Sequence, residues 1–188
     1  KKKGQGTWSF CVAENADAGW IMETIEREMP LLFAGTEKSE GKDARVLFRR
    51  TDEKSLLKEG YRIEKEGNRY VVEACGEQGL LYGMFGLHRL LITGQKEFPY
   101  VSVPDQSIRM INHWDNFDGS IERGYAGDSI YYDKNRFRGD MELVRQYARL
   151  LSSVGINGVS INNVNVHQLE THFVEPEYLA EIKRISDV

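Results

Sequence analysis

The sequence predicts an α+β unit followed by the opening units of a parallel α/β domain. Three observations lead there. Residues 1 to about 95 carry a β-α-β-β-β-α order of hydropathy patterns. A stretch bounded by prolines at 99 and 104 then changes the pattern. After it come strand, helix, strand and helix, two units whose right-handed crossovers place both strands in one sheet.

In order, residues 7–12 (TWSFCV) read as a strand. An amphipathic helix follows, with Trp20, Ile21, Ile25 and Met29 at helical spacing, and Pro30 is expected to stop it. Gly35 to Asp43 reads as a loop and 45–50 (RVLFRR) as a short strand. Residues 61–66 and 69–74 flank Gly67-Asn68, a pair that tolerates the positive φ of a tight hairpin. Glu77 to Ile92 has Leu80, Leu81, Met84, Leu87, Leu90 and Leu91 at helical periods. Its glycines at 79, 83 and 86 each cost a helix up to ~1 kcal/mol, which points to a helix lying very near a sheet. With no GxGxxG after a strand and no GKS or GKT ending, they do not form a phosphate cradle. His88 in this helix reads as structural or surface.

Residues 99–105 (PYVSVPD) read as an extended connector, so the domains are expected to be 1–98 and 99–188. Ile108 to Trp114 reads as a strand. Residues 115–139 form a loop rich in Gly, Asp and Asn, too long for an idle connection. Asp140 is placed to cap a helix from Met141 to Val154, with Gly155 as its stop. Ile156 to Ile161 is the second strand, and Glu177 to Val188 begins another helix. Two such units neither close a barrel nor cover both faces of a sheet.

A net charge of −4 and a pI near 5.7 exclude a nucleic-acid partner, which needs a basic stripe. The basic run Lys1–Lys3 reads as a terminal edge. No apolar run approaches the ~20 residues of a membrane span. No signal-peptide core is present, and because the chain starts at Lys, export after signal removal stays open beside a cytoplasmic location. Cys11 and Cys75 read as small buried hydrophobes. No Ser/His/Asp arrangement, HExxH or metal-ligand spacing occurs, and His167 and His172 are too loosely placed for a metal, so neither metal nor cofactor is expected.

In a parallel α/β barrel, function gathers where strands end. That rule selects His113-Trp114-Asp115-Asn116 with its loop, and Asn162-Asn163-Val164-Asn165. Trp114 beside Asn, Asp and Glu offers the apolar face and hydrogen-bonding groups that a sugar's mixed surface requires. His113 alternates to the other side of the strand and is expected to be packed. Asp115, Asp118 and Glu122 are close enough to resemble a glycosidase acid/base pair. Against that, Asp118-Gly119 reads as a turn, and Glu122-Arg123 stands between an internal ion pair and a functional role.

The segment RMINHWDNFDGSIERGYAG (109–127) resembles the first barrel strand and loop of glycoside hydrolase family 67, the α-glucuronidases. GEQGLLYGMFGLHRLL (76–91) and YARLLSSVGINGVSINNVNV (147–166) support the likeness on either side. The resemblance implies an α+β N-terminal domain followed by the truncated start of a (β/α)8 TIM barrel. It implies an inverting enzyme that removes glucuronic acid, or its 4-O-methyl ether, α-1,2-linked to the terminal xylose of xylan fragments. By the same likeness, Trp114 and Val164 line the pocket near the uronic acid's 4-position. Glu122 and Asn163 lie near its hydroxyls, and Asp115 and Arg123 take support or binding roles. The family's catalytic carboxylates have no counterpart in these residues, so the resemblance makes Asp115 and Glu122 no acid/base pair and the fragment inactive. The implied partner is a glucuronoxylan-derived oligosaccharide, with a homodimer among the assemblies it allows. A non-catalytic carbohydrate-binding or interaction module, and the N-terminal part of a hexosaminidase-like glycosidase, are the alternative readings.

Overall fold

The computed structural model describes residues 8–16, 19–39, 44–163 and 168–188. Lys1–Lys3, Val164, Asn165 and His167 lie outside these described residues. The chain divides into two compact units, residues 1–107 and 108–188.

The first unit has a six-stranded mixed sheet. Its strands are β1 (Ser9–Val12), β2 (Glu37–Lys38), β3 (Val46–Arg50), β4 (Tyr61–Glu66), β5 (Arg69–Ala74) and β6 (Tyr100–Ser102), in spatial order β2-β1-β3-β5-β4-β6. The β4–β5 hairpin turns at Gly67, whose φ of 62° is the left-handed conformation that glycine adopts without penalty. Two helices, α1 (Trp20–Leu32) and α2 (Glu77–Ile92), bury their apolar stripes in one core with the sheet, Ile21, Ile25, Met29, Leu80, Met84 and Leu87 against Val46, Phe48, Tyr61, Ile63 and Val72.

The close approach expected from the α2 glycines is present. A Cβ on Gly79 would lie 2.6 Å from Ala74 Cβ, one on Gly83 2.5 Å from Val72 Cγ1, and one on Gly86 2.4 Å from the Tyr61 hydroxyl. Strands β3, β4 and β5 also bring Arg49 and Arg62 on either side of Glu73 in direct register. Arg49 Nε and Arg62 Nη2 donate to its carboxylate at 2.6 and 2.7 Å. Burial pushes the Glu73 carboxyl upward, but the hydrogen bonds from Arg62 and Arg49 outweigh it and hold the group below the usual carboxylate range.

Three expectations need correction. Pro30 does not stop α1, which runs on to Leu32. It sits on the exposed side of the last turns, where its ring does not intrude on the core. Residues 100–102 are not a connector. Paired antiparallel with β4 from Ile63↔Tyr100 to Tyr61↔Ser102, they extend the sheet, and the unit boundary accordingly falls at Ser107 rather than 98. Within the expected loop after α1, Glu37–Lys38 pairs in parallel with β1.

The second unit is built on two parallel strands, β7 (Met110–Trp114) and β10 (Gly158–Asn162), aligned from Met110↔Gly158 to Trp114↔Asn162. Between them lie a short hairpin, β8 (Tyr132–Asp133) and β9 (Arg136–Phe137), and helix α3 (Glu142–Ser153). Helix α4 (Pro176–Ser186) follows β10. Asp140 accepts the N–H of Glu142 at 2.9 Å, so the helix starts one residue later than expected. Its end is the expected one: Gly155 has a φ of 79°, and Ile156 and Gly155 donate to Leu151 and Ser152, closing the last turn.

Substituting Gly79 or Gly83 by Ala tests the helix–sheet contact. Propensity alone predicts a gain of about 1 kcal/mol. The overlap with Ala74 and Val72 predicts instead a loss of about 1–3 kcal/mol in chemical denaturation of the chain.

Candidate functional site

The site expected at the strand ends lies wholly in the second unit. The side chains of β7 alternate, with Asn112 and Trp114 exposed and His113 half-buried. In the parallel register Asn112 stands beside Ser160 and Trp114 beside Asn162. Asn162 Nδ2 donates to Asn112 and to Ser160 Oγ, which fixes a polar row below the indole. Trp114 remains 44% exposed.

His113 faces the opposite way. Its Nε2 lies 2.7 Å from the Tyr147 hydroxyl on α3 and its Nδ1 3.2 Å from Asp115 Oδ1. Since an ionised carboxylate only accepts, Nδ1 carries the proton toward Asp115. Nε2 then accepts from Tyr147 when the ring is neutral. Asp115 is 1% exposed, so it braces the strand end rather than facing solvent.

The 115–139 loop is folded on itself. Bridges join Asp115 to Ile121 and Ser120 to Asp128. Asn116 Nδ2 donates to Ser120 Oγ and to the Glu122 carbonyl, and the Glu122 N–H donates to the Trp114 carbonyl at 2.7 Å. Asp118 is a turn residue, accepting both the N–H and the hydroxyl of Ser120. Glu122 adopts a φ of 54° and its carboxylate accepts from the Tyr125 hydroxyl. Arg123 is exposed. The β8–β9 hairpin turns at Lys134-Asn135, both with positive φ as a primed turn requires.

An aromatic cluster pins this loop. Phe117, 3% exposed, packs edge-on against Phe173 at 4.9 Å, Tyr132 at 5.4 Å and Phe137 at 5.6 Å between ring centroids. Glu170, in the 3-10 turn Gln168–His172 after β10, accepts the Phe117 N–H at 2.6 Å and the side-chain amide of Asn163. Sequence reasoning missed Glu170, Phe117 and Tyr147. Their partners are 53, 56 and 34 residues away in the chain, and no local spacing encodes such contacts. Thus the structure gathers Trp114, Asp115, Glu122 and Asn163 around the two strand ends, leaves Arg123 outward, and does not describe Val164. Among the described residues, no three His, Cys, Asp or Glu side chains come together as a metal-binding group. No described helix is long and apolar enough to cross a membrane.

Comparison with known proteins bears on this arrangement. Residues 92–188 match the model of the "Glycosyl hydrolase family 67 middle domain". The chain belongs to glycoside hydrolase family 67. Residues 10–106 of this family 67 chain match "Glycosyl hydrolase family 20, domain 2". "Probable alpha-glucuronidase A" of Aspergillus terreus is 42% identical over 102 residues, 54% of this chain and 12% of the relative. "Alpha-glucuronidase A" of Emericella nidulans is 39% identical over 110 residues, 55% of this chain and 13% of the relative. The chain therefore spans about an eighth of the curated relatives it matches. In fold it resembles a family 20 exo-β-N-acetylglucosaminidase from Vibrio harveyi, with a TM-score of 0.56 at 13% identity over 82% of this chain and 22% of that one. A family 138 enzyme targeting pectin rhamnogalacturonan II gives a TM-score of 0.57 at 14% identity over 96% and 22%.

The tyrosines around Asp115 predict an alkaline limit. Burial pushes the Tyr132 phenol up to about 12, with the charges of Asp115 and Glu170 adding to it. Burial, then Tyr147 and Asp115, push Tyr131 further in the same direction. A phenol raised above its unfolded value of about 10 contributes stability that is complete below pH ~10 and lost as pH rises through the folded value. The second unit should therefore unfold between about pH 10 and 12, seen as loss of circular dichroism together with phenolate absorbance. Tyr132→Phe should move that transition to higher pH.

Proposed function

We propose that this chain supplies one wall of the substrate pocket of an inverting α-glucuronidase. The observation that carries the reading is Trp114, held half-exposed at the carboxyl end of β7, level with Asn162-Asn163, in a segment matching the family 67 middle domain. The second unit is the truncated beginning of a (β/α)8 TIM barrel, preceded in sequence by an α+β accessory unit. Its parallel strand pair and the exposed row Met110, Asn112 and Trp114 support this, because such a row becomes barrel interior when further strands close the sheet.

The substrate is glucuronic acid, or its 4-O-methyl ether, α-1,2-linked to the terminal xylose of xylo-oligosaccharides derived from glucuronoxylan. Sugar C–H groups pack on the Trp114 indole. Glu122 and Asn163 meet hydroxyls, and Arg123 lies at the pocket's outer edge. Burial of Asp115 favours support over direct contact. Inversion needs two carboxyl groups about 6.5–9.5 Å apart flanking the bond and a water. Asp115 is buried against His113, and Glu122 is engaged by Tyr125, which supports a catalytic pair supplied by later strands of a longer protein and an inactive fragment.

The family 20 match over residues 10–106 favours a second reading, a hexosaminidase-like enzyme. Incubating the full-length protein with aldouronic acids separates the two. Release of glucuronic acid is expected; release of N-acetylhexosamine from its own substrates, and no uronic acid, overturns the proposal. The 188-residue chain alone should release neither. Trp114→Ala in the full-length protein should raise KM roughly tenfold, about 1.4 kcal/mol, with a smaller effect on kcat.

A further inference from the structure

We propose that Glu170 is a positioning residue that fixes the side-chain amide of Asn163, making Asn163 a dedicated acceptor for a substrate hydroxyl. The inference rests on the pocket reading above and deepens it.

Glu170 is 8% exposed, and a carboxylate so buried is tolerated only when hydrogen bonds replace its water. One oxygen takes the Phe117 N–H at 2.6 Å and the other takes Asn163 Nδ2. The turn that carries Glu170 is pinned independently, because Phe173 beside it packs on the buried Phe117 ring. Glu170 is therefore held by its own backbone and by the loop it bonds, and Asn163 must conform to it.

The chemistry then decides the orientation of the amide. A primary amide offers donors on nitrogen and an acceptor on oxygen, whereas a carboxylate offers acceptors alone. The nitrogen of Asn163 must face Glu170, and its Oδ1 is left for another partner. That oxygen accepts from a hydroxyl, which can donate. It repels a uronate carboxylate, which cannot. Asn163 thus reads a neutral ring hydroxyl, and the substrate's acid group has to be met elsewhere.

The test exchanges the two roles. In Glu170→Gln, the new side chain still accepts from Phe117 through its oxygen but turns an NH2 toward Asn163. The amide of Asn163 flips and points a donor at the sugar. KM should rise about tenfold while kcat changes much less. Adding Asn163→Asp to Glu170→Gln should recover most of that loss. The amide introduced at position 170 then donates to the carboxylate introduced at position 163, and an acceptor oxygen again faces the hydroxyl. A purely structural role for Glu170 would not be rescued by a second change that places a charge at the site. An unchanged KM in the single variant, or a double variant no better than it, overturns the proposal.

Amide hydrogen exchange in the 188-residue chain gives a readout independent of turnover. Phe117 N–H and the Asn163 side-chain amide should both be protected, Phe117 should stay protected in Glu170→Gln, and both should exchange freely in Glu170→Ala. Unprotected Asn163 in the unaltered chain overturns the proposal. Should the full-length protein release no glucuronic acid, the pocket reading fails while the exchange result still decides the role of Glu170.

Discussion

Parallel pairing of β7 with β10 is the constraint from which the second unit follows. Five consecutive pairs, ending at Trp114↔Asn162, bring both strands to an end at the same level. In a parallel sheet the bonds are slanted and evenly spaced, and the chain must cross back through a helix before the second strand can form. Here α3 makes that crossing. Its start is set by Asp140 and its finish by Gly155, so its length returns the chain to Asn157, which bonds the backbone of Arg109. Gly158 leaves room for the Met110 side chain, whose Cγ a Cβ at this position would approach to 2.8 Å.

Level strand ends create a second requirement. Two loops leave the sheet side by side, and their polar backbones need partners. Phe117 and Glu170 answer it together, one by filling an apolar space and the other by accepting the N–H that filling it buries. On the same apolar side of β7, His113 packs on Tyr131 of the cluster around Phe117, joins Asp115 to Tyr147 and so ties the strand end to α3. The exposed tryptophan consequently stands on a strand end that is braced from its opposite, apolar face.

Much of the fold was legible in the sequence where the signal was local. Gly79, Gly83 and Gly86 announced a tight helix–sheet contact because nothing but proximity justifies three glycines in one helix. Gly67 and Gly155 marked a hairpin and a helix end through conformations that few other residues adopt. Trp114 and Asn163 could be placed at or next to strand ends because strand ends are predictable from periodicity. What was not legible depends on distant partners. The four residues between Pro99 and Pro104 are too few to signal a strand by themselves, and Tyr100–Ser102 become one because β4 offers an unpaired edge. Pro30 reads as a terminator until its exposed position is known. Glu170 looks like one more surface acid in a chain with 29 acidic residues. Its burial follows from Phe117 and Phe173, which no window of the sequence places together. Membership of family 67 was visible in the motif spanning 109–127, whereas the supporting carboxylate behind Asn163 was not.

The self-contained hydrogen bonding of the 115–139 loop has a thermodynamic consequence. Its turn at Asp118, its two bridges, its hairpin and its aromatic pin are made within the unit, although Asp115 Oδ2 and Asn116 Oδ1 are buried without a hydrogen-bond partner among the described residues. A surface ordered in advance loses little conformational entropy when a ligand arrives, so more of each contact appears as affinity. The long loop after β7 is therefore ordered by its own contacts during folding, and its entropic cost is met before any ligand arrives.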